Sequence, residues 1–305
     1  MATLRPMLAA KFSNEQNIEP ELAKLTYPIL ASPKVDGIRW MKPADSPVMS
    51  RAWKPLPNKR FQEYITEEFA FLDGEVVIGE DPWAEGIFNK TQSAIMTRDD
   101  TSYFSLWVFD CWIDHLAPFK TRTEMAERCV ESLRSKGYDR IFYLRQILLR
   151  SAEEVLEYEK EAIEAGYEGI MLRSPRQPYK FGRSTLKEQG LIKVKRFADA
   201  EAVIVGFEAL ERNTNEQTRN AFGLAARSSH RAGKIADNLL GRLIVKADPW
   251  GEFAIGSGFD VETRTDIWAR QDSYLGRVVT FKYQSHGTLE KPRTPIFKGF
   301  RPEVD

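Results

Sequence analysis

An α+β domain followed by a smaller all-β domain is the fold class this 305-residue sequence predicts. Two observations carry that expectation. Up to about residue 197, amphipathic segments with helix-start signals alternate with short extended runs, the mixture that builds helices packed on sheets. After Asp199 those helix signals stop, and short β-like runs at 202–207, 243–246, 253–255 and 278–283 take over. The expected domains are therefore 1–198 and 199–305, the first with mixed or antiparallel sheets.

Taken in order, residues 27–50 read as extended runs punctuated by Pro28, Pro33, Pro43 and Pro47, which favours antiparallel strands. Phe61, Ile65 and Phe69 fall at i, i+4, i+8 and predict a helix over 60–69. Asp73-Gly74-Glu75 leads into Val76-Val77-Ile78, a turn entering a buried strand, and 86–96 reads as a further helix. The nearly unbroken apolar and aromatic run 102–113 predicts an interior strand. Thr121 with Glu124, and Ser151 with Glu154, have the spacing of capping boxes and predict helices running to about Lys136 and to Gly166. Strands follow at 168–173 and 191–197. The second domain, about 105 residues of short strands, suits a five-stranded barrel of the oligonucleotide-binding (OB) type. Within it, 209–240 is polar, basic and rich in turn formers, and predicts a long surface loop.

Composition excludes several classes. With 42% hydrophobic and 29% charged residues the chain reads as an ordinary globular protein. A net charge of zero means that any nucleic-acid binding must come from local clustering. Cys111 and Cys129 have no metal-like spacing and read as reduced packing residues, and His115, His230 and His286 form no ligand pattern, so zinc chemistry is not expected. No apolar run approaches the roughly 18 residues of a membrane helix, and 1–14 lacks a signal-peptide core. Neither export nor anchoring is expected, which places the chain in a cytoplasm, or a host's cytoplasm for a viral gene.

The chemistry gathers around Lys34-Val35-Asp36-Gly37-Ile38-Arg39. A lysine amine can attack an activated phosphate, an arginine can hold the anion, and a glycine lets the backbone come close. Read alone, the stretch is more often a charged hairpin rim, since the short motif recurs by chance. Five further segments decide. Ser50-Arg51 offers a second phosphate-binding arginine, Asp73-Gly74-Glu75 and Glu168-Gly169-Ile170 each put a carboxylate at a strand start, and Phe109-Asp110 supplies an aromatic able to stack a purine. Lys193-Val194-Lys195 places two ammonium groups on one strand face. One nucleophile, several cations, two carboxylates and one aromatic are the parts needed for nucleotidyl transfer from a nucleoside triphosphate. A lysine nucleophile must shed its proton, and the expectation is that a metal ion, Arg39, Lys193 and Lys195 lower its pKa.

These six segments occur in the order of the motifs of covalent nucleotidyltransferases, and the chain resembles that superfamily along essentially its whole length. The runs 291–297 and 300–301, and the loop 213–234 with Arg227-Ser228-Ser229-His230, resemble the small two-domain ATP-dependent DNA ligases of phage and bacterial type. The resemblance implies an adenylation domain and an OB-fold domain that seal nicks in duplex DNA through a lysyl-AMP and a DNA-adenylate, using ATP with Mg²⁺, or Mn²⁺ in its place, as a monomer. It implies Lys34, Asp36, Lys193 and Lys195 as catalytic residues. Ser32, Arg39, Arg51, Glu75, Phe109, Glu168, Arg293 and Arg301 would bind nucleotide, with Glu75 and Glu168 also serving the metal. Three positions depart from the common pattern: Ser32 where an acid is frequent, Arg173 where a lysine often ends the fourth motif, and 301–304, which lack the usual final lysine, leaving Lys298 as a substitute.

Cations cluster locally despite the neutral total. Arg173, Arg176, Lys180, Arg183, Lys187, Lys193, Lys195 and Arg196 face only Glu188 within 173–196, which suits sequence-independent phosphate contacts. Arg176, Lys180, Arg183 and Arg196, with Arg219, Arg227, Arg231 and Lys234 of a clasping loop near 209–240, are the expected DNA contacts. RNA ligase and capping enzyme are the neighbouring alternatives, and a non-catalytic OB-type nucleic-acid binder is the alternative from another class.

Overall fold

The computed structural model describes residues 5–84, 86–219, 225–227, 234–284 and 290–301. It divides into two units, Met1–Arg196 and Phe197–Asp305. Two five-stranded sheets form the first. One sheet runs in the order Ala10–Lys11, Ile192–Val194, Ile170–Arg173, Ile29–Pro33, Ile147–Leu149, and the other Met49–Ser50, Ile38–Met41, Leu72–Ile78, Phe104–Cys111, Ile141–Tyr143. One edge pairing in each is parallel and the remaining pairings are antiparallel.

The period of two along a strand sorts each sheet into an apolar and a polar face. In the first sheet Ile29, Ala31, Ile170, Leu172, Ile192 and Val194 enter a core closed by Val155 and Ala162 of the helix Ala152–Glu164. In the second, Trp40, Val76, Leu106, Val108 and Ile141 pack on Phe61 of the helix Lys59–Tyr64 and on Ala126, Val130 and Leu133 of the helix Phe119–Ser135. The alternate positions are left for Ser32, Lys34, Arg173 and Lys193 on one sheet and for Arg39, Asp73, Glu75 and Asp110 on the other. Both cysteines are free and lie in the second of these cores.

Buried charge joins the two sheets. The guanidinium of Arg122, on the helix Phe119–Ser135, forks onto Asp110 at 2.9 and 3.2 Å, and Arg173 Nη2 donates to Asp110 Oδ2 at 2.6 Å. Asp110, Arg122 and Arg173 are 0%, 1% and 3% exposed, so nothing but protein satisfies them. Arg122 also donates to the carbonyls of Ala117 and Gln177, Arg173 to that of Gly190, and Arg173 lies 3.8 Å over the Phe119 ring. The expectation of Arg173 as part of a DNA-facing cation cluster is thus corrected: it stands on the inward face of its strand, opposite a buried carboxylate.

Several expected elements shift. The helix over 60–69 is a short α-helix, Lys59–Tyr64, capped by Asn58, then a 3₁₀ turn Glu67–Phe69, because the backbone is extended at Ile65; the stripe Phe61, Ile65, Phe69 stays buried. Thr121 does not cap its helix, which begins at Phe119. Pro118 precedes it, and the free N–H of Lys120 donates instead to Pro175 O at 2.9 Å. Ser151 does cap its helix, accepting from Glu154 N, and Gly166 in left-handed conformation closes it.

The second unit is built on a five-stranded sheet in the order Gly251–Ile255, Lys234–Ala247, Ala198–Asn213, Val278–Gln284, Arg293–Phe300. It also holds two helices that the sequence reading missed, Val261–Ala269, capped by Asp260, and Gln271–Tyr274, and their Ile267 and Tyr274 join its core. A bridge between Ser257 and Ile296 brings the two edges of the sheet together. Ile204, Leu243, Val245, Phe253, Val279 and Phe281 fill the interior. The long loop expected over 209–240 is corrected as well. The strands Ala198–Asn213 and Lys234–Ala247 stay paired as far as Asn213 and Lys234, and a hairpin of Gln217–Arg219 with Ala225–Arg227 lies beyond them. Strand pairing satisfies every second backbone group of this polar segment without apolar side chains. Among the described residues no helix is long and apolar enough to cross a membrane.

Burial works against the Asp110 charge, but Arg173 and Arg122 outweigh it and hold the carboxyl below its ordinary range. Its contribution to stability is therefore full above about pH 4 and fades as pH falls further. Asp110→Ala, which leaves two buried guanidinium groups unpaired, is expected to cost about 3–5 kcal/mol at pH 7. Urea unfolding checks this, and the deficit should shrink below about pH 4. A variant as stable as wild type at neutral pH would remove the clamp from the account.

Candidate active site

Lys34 continues its strand by one more pair. Its N–H donates to Gly169 O at 2.8 Å, and Glu168 N–H donates back to Lys34 O at 3.3 Å. Ser32 and Lys34 therefore share a face, and the ladder runs from Ser32 to Met171 to Lys193. One step along, Gly169 lies beside Lys195. Only glycine fits there: a Cβ would stand 2.2 Å from Val194 O, and φ is +147°. Gly37 is constrained alike, with a Cβ 2.2 Å from Val76 O where the chain crosses to the second sheet.

Glu168 gathers the lysines. Its side chain is 3% exposed; Oε1 takes Lys195 Nζ at 2.5 Å, and Oε2 takes Lys34 Nζ in an ion pair. Burial disfavours the Lys34 ammonium, yet Glu168, Glu75 and Asp36 together raise its pKa above the ordinary value. The expectation that Arg39, Lys193 and Lys195 lower it is thereby corrected, because carboxylates and not these cations make the close contacts. Burial also opposes the Glu168 charge, but Lys34 and Lys195 bring its pKa down to about 2. Lys193 and Lys195 are shifted down, chiefly by burial, with Glu15 and Glu168 opposing.

On the facing sheet Arg39 pairs in register with Glu75, and Glu75 with Trp107. Arg39 forks onto Asp73 at 2.8 and 2.6 Å and donates to Met7 O at 2.5 Å. Burial pushes the Glu75 carboxyl up to about 8, against the pull of Lys34 and Arg39. Phe109 is the extra residue of a β-bulge, since Val108 opposes Gly74 and Asp110 opposes Asp73. Its ring lies 5.5 Å from the Arg39 guanidinium and packs against Val35, Val77, Ile87 and Leu144. Asp36 is buried. Arg51 is exposed on the turn after Met49–Ser50, which the Ser50 N–H closes onto Lys54 O at 2.7 Å.

The remaining expected residues are placed as follows. Arg176, Lys180 and Arg183 are exposed; Lys180 pairs with Glu188 at 2.7 Å, and Arg183 donates to Ala9 O at 2.8 Å. Arg196 forks onto Glu159 at 2.8 and 2.7 Å, so its guanidinium ties the helix Ala152–Glu164 to the chain and is not a free phosphate contact as expected. In the second unit Arg293 opens its strand opposite Gln284, Arg301 pairs with Glu201 at 2.8 Å, and Lys298 with Asp199 at 2.5 Å. Arg219, Arg227 and Lys234 occupy strand positions, and Arg231 lies outside the described residues.

Two participants escaped the sequence reading. Tyr179, fully buried, donates from Oη to Asp73 Oδ2 at 2.8 Å and accepts Met7 N–H at 3.1 Å. Asp73 was passed over for Glu75, yet it is the residue that orients Arg39. Neither carries a local signal, because the partners are 106 and 34 residues apart in sequence. Among the described residues no group of three or more acidic, histidine or cysteine side chains could hold a metal. Glu75 and Glu168 alone suit an ion such as Mg²⁺ that draws most ligands from water and phosphate oxygens.

Freeing Lys34 from its carboxylate should expose the amine chemically. Glu168→Gln is expected to speed modification of Lys34 by an amine-reactive ester at pH 8 several-fold, read by peptide mass spectrometry. An unchanged rate would show that Glu168 does not stabilise the ammonium.

Comparison with known proteins fits this arrangement. A family model described as ATP dependent DNA ligase domain matches residues 6–195, and one described as DNA ligase OB-like domain matches 232–301. A DNA ligase of Natronomonas pharaonis is 31% identical over 228 residues, 68% of this chain and 39% of that protein. A DNA ligase of African swine fever virus is 27% identical over 141 residues, 45% of this chain and 32% of the viral one. The chain thus spans about a third of the length of the curated relatives it matches. The crystal structure of Chlorella virus DNA ligase-adenylate superposes over 98% of this chain and 100% of its own, at 33% identity and a TM-score of 0.55. A Lig E DNA ligase structure shares the fold at 24% identity and a TM-score of 0.66, covering 97% and 99% of the two chains. With the first family model alone spanning more than half of its residues, the chain belongs to the ATP-dependent DNA ligase family.

Proposed function

We propose that this protein seals nicks in duplex DNA at the expense of ATP, acting as a monomer through a lysyl-AMP on Lys34. The observation that carries the reading is the convergence of Lys34 and Lys195 on Glu168, with Lys193 on the same sheet face and Arg39 and Glu75 on the facing one. In the first step the Lys34 amine attacks the α-phosphate and pyrophosphate leaves. In the second, AMP passes to the 5′-phosphate at a nick. In the third, the 3′-hydroxyl displaces AMP and closes the backbone. One set of cations serves all three steps because each moves negative charge through one phosphate.

Lys193 and Lys195 hold the α-phosphate, Phe109 stacks the base, Asp36 steadies the turn that presents Lys34, and Arg39 and Arg51 meet nucleotide or nick phosphate. Arg293 and Arg301 act on the triphosphate during the first step. Glu75 and Glu168 would hold a divalent ion, which would neutralise charge on the phosphate oxygens. Any contact that draws Glu168 away from Lys34 removes the carboxylate that stabilises its ammonium, and so moves the amine toward its nucleophilic form. Arg176, Lys180 and Arg183 supply sequence-independent DNA contacts, together with Arg219, Arg227, Arg231 and Lys234, so binding weakens steeply with salt.

Incubation with α-labelled ATP and Mg²⁺, followed by nicked DNA, tests the proposal. The label is expected to attach to wild type, to be lost in Lys34→Ala, and to be discharged by nicked DNA with joining of the strands. A label that never attaches, or attaches equally to Lys34→Ala, overturns the covalent mechanism. A label that attaches but is not discharged by nicked DNA redirects the assignment to an RNA-joining or capping reaction.

A further inference from the structure

Gln146 holds a polar atom for which the protein offers no partner. Its Oε1 is buried and unbonded, while Nε2 donates to Leu144 O at 2.8 Å. That bond fixes the amide, since a flipped group would set two acceptors face to face. A buried carbonyl oxygen left unpaired costs free energy that a ligand donor would recover.

Its position says which donor. The ladder pairs Ala31 with Ile147, so the next position sets Gln146 across from Ser32, on the face shared with Lys34. Leu144, whose carbonyl anchors the amide, belongs to the apolar cluster of Val35, Val77 and Ile87 against which the Phe109 ring packs. An apolar surface with an aromatic ring beside one fixed acceptor suits a purine carrying an amino group at its edge. We infer that Gln146 Oε1 accepts a hydrogen bond from the exocyclic amine of adenine and so selects adenosine over 6-oxopurine nucleotides, an inference that rests on the nucleotide site proposed above. A 6-oxo group would bring a second acceptor against Oε1, and the Leu144 bond prevents the amide from turning to accommodate it.

The test compares labelling of Lys34 by α-labelled ATP, by α-labelled ITP and by the triphosphate of unsubstituted purine riboside, in wild type and in Gln146→Met. Wild type is expected to favour ATP over both analogues, and Gln146→Met to lower each preference about tenfold. Because each ratio is taken within one preparation, a partly misfolded fraction does not alter it. Ratios equal in wild type and variant overturn the role of Gln146 while leaving the ligase reading intact. If wild type takes label from none of the three nucleotides, the proposed function falls and this inference with it.

Discussion

Two buried carboxylates hold the catalytic unit together. Asp110 takes the guanidinium groups of Arg122 and Arg173, and Asp73 takes those of Arg39 and the hydroxyl of Tyr179. Each sheet packs one face on helices, and between the inward faces these charges sit beside an apolar cluster that includes Met41 of one sheet and Met171 of the other. Ion pairs of this kind contribute less net stability than apolar packing would, but they fix geometry, since a buried charge tolerates only the partner that neutralises it. The sheet that bears Lys34 and Lys195 and the sheet that bears Glu75 and Phe109 are registered to one another by this means.

That constraint explains why the site is electrostatically tight. Lys34, Lys195 and Glu168 form a nearly closed set of charges, and burial pushes the Glu75 carboxyl up to about 8. The amine of Lys34 is thus paired with the carboxylate that also holds Lys195.

Much of this was legible in the sequence, and the rest was hidden for stated reasons. Lys34, Glu168, Lys193 and Lys195 are brought together because short motifs sit at strand positions whose period of two is readable. Ser151 was readable as a cap because capping is local, whereas Thr121 was misread because its helix borrows a carbonyl from Pro175. Arg173 and Arg196 were read as surface cations, since a sequence shows charge but not the distant carboxylate that consumes it. The segment 209–240 looked like a loop because its side chains are polar, while strand formation there depends on backbone pairing that composition does not record. Tyr179 and Gln146 had no signal at all; only the placed atoms single them out.

The bulge at Phe109 acts as a parity switch. Trp107 points to the cleft and Val108 to the core, and if Phe109 held a regular ladder position strict alternation would carry Asp110 to the core side as well. The inserted residue resets the count, so that Asp110 faces inward again beside Asp73 and Cys111 returns to the apolar side. One strand thereby delivers an aromatic beside Arg39 and an anchor to the inter-sheet clamp. Deleting Phe109 would leave Asp110 facing inward under plain alternation, at the loss of the aromatic alone, whereas flattening the bulge with Phe109 kept would drive a carboxylate into hydrocarbon and strand its two arginines.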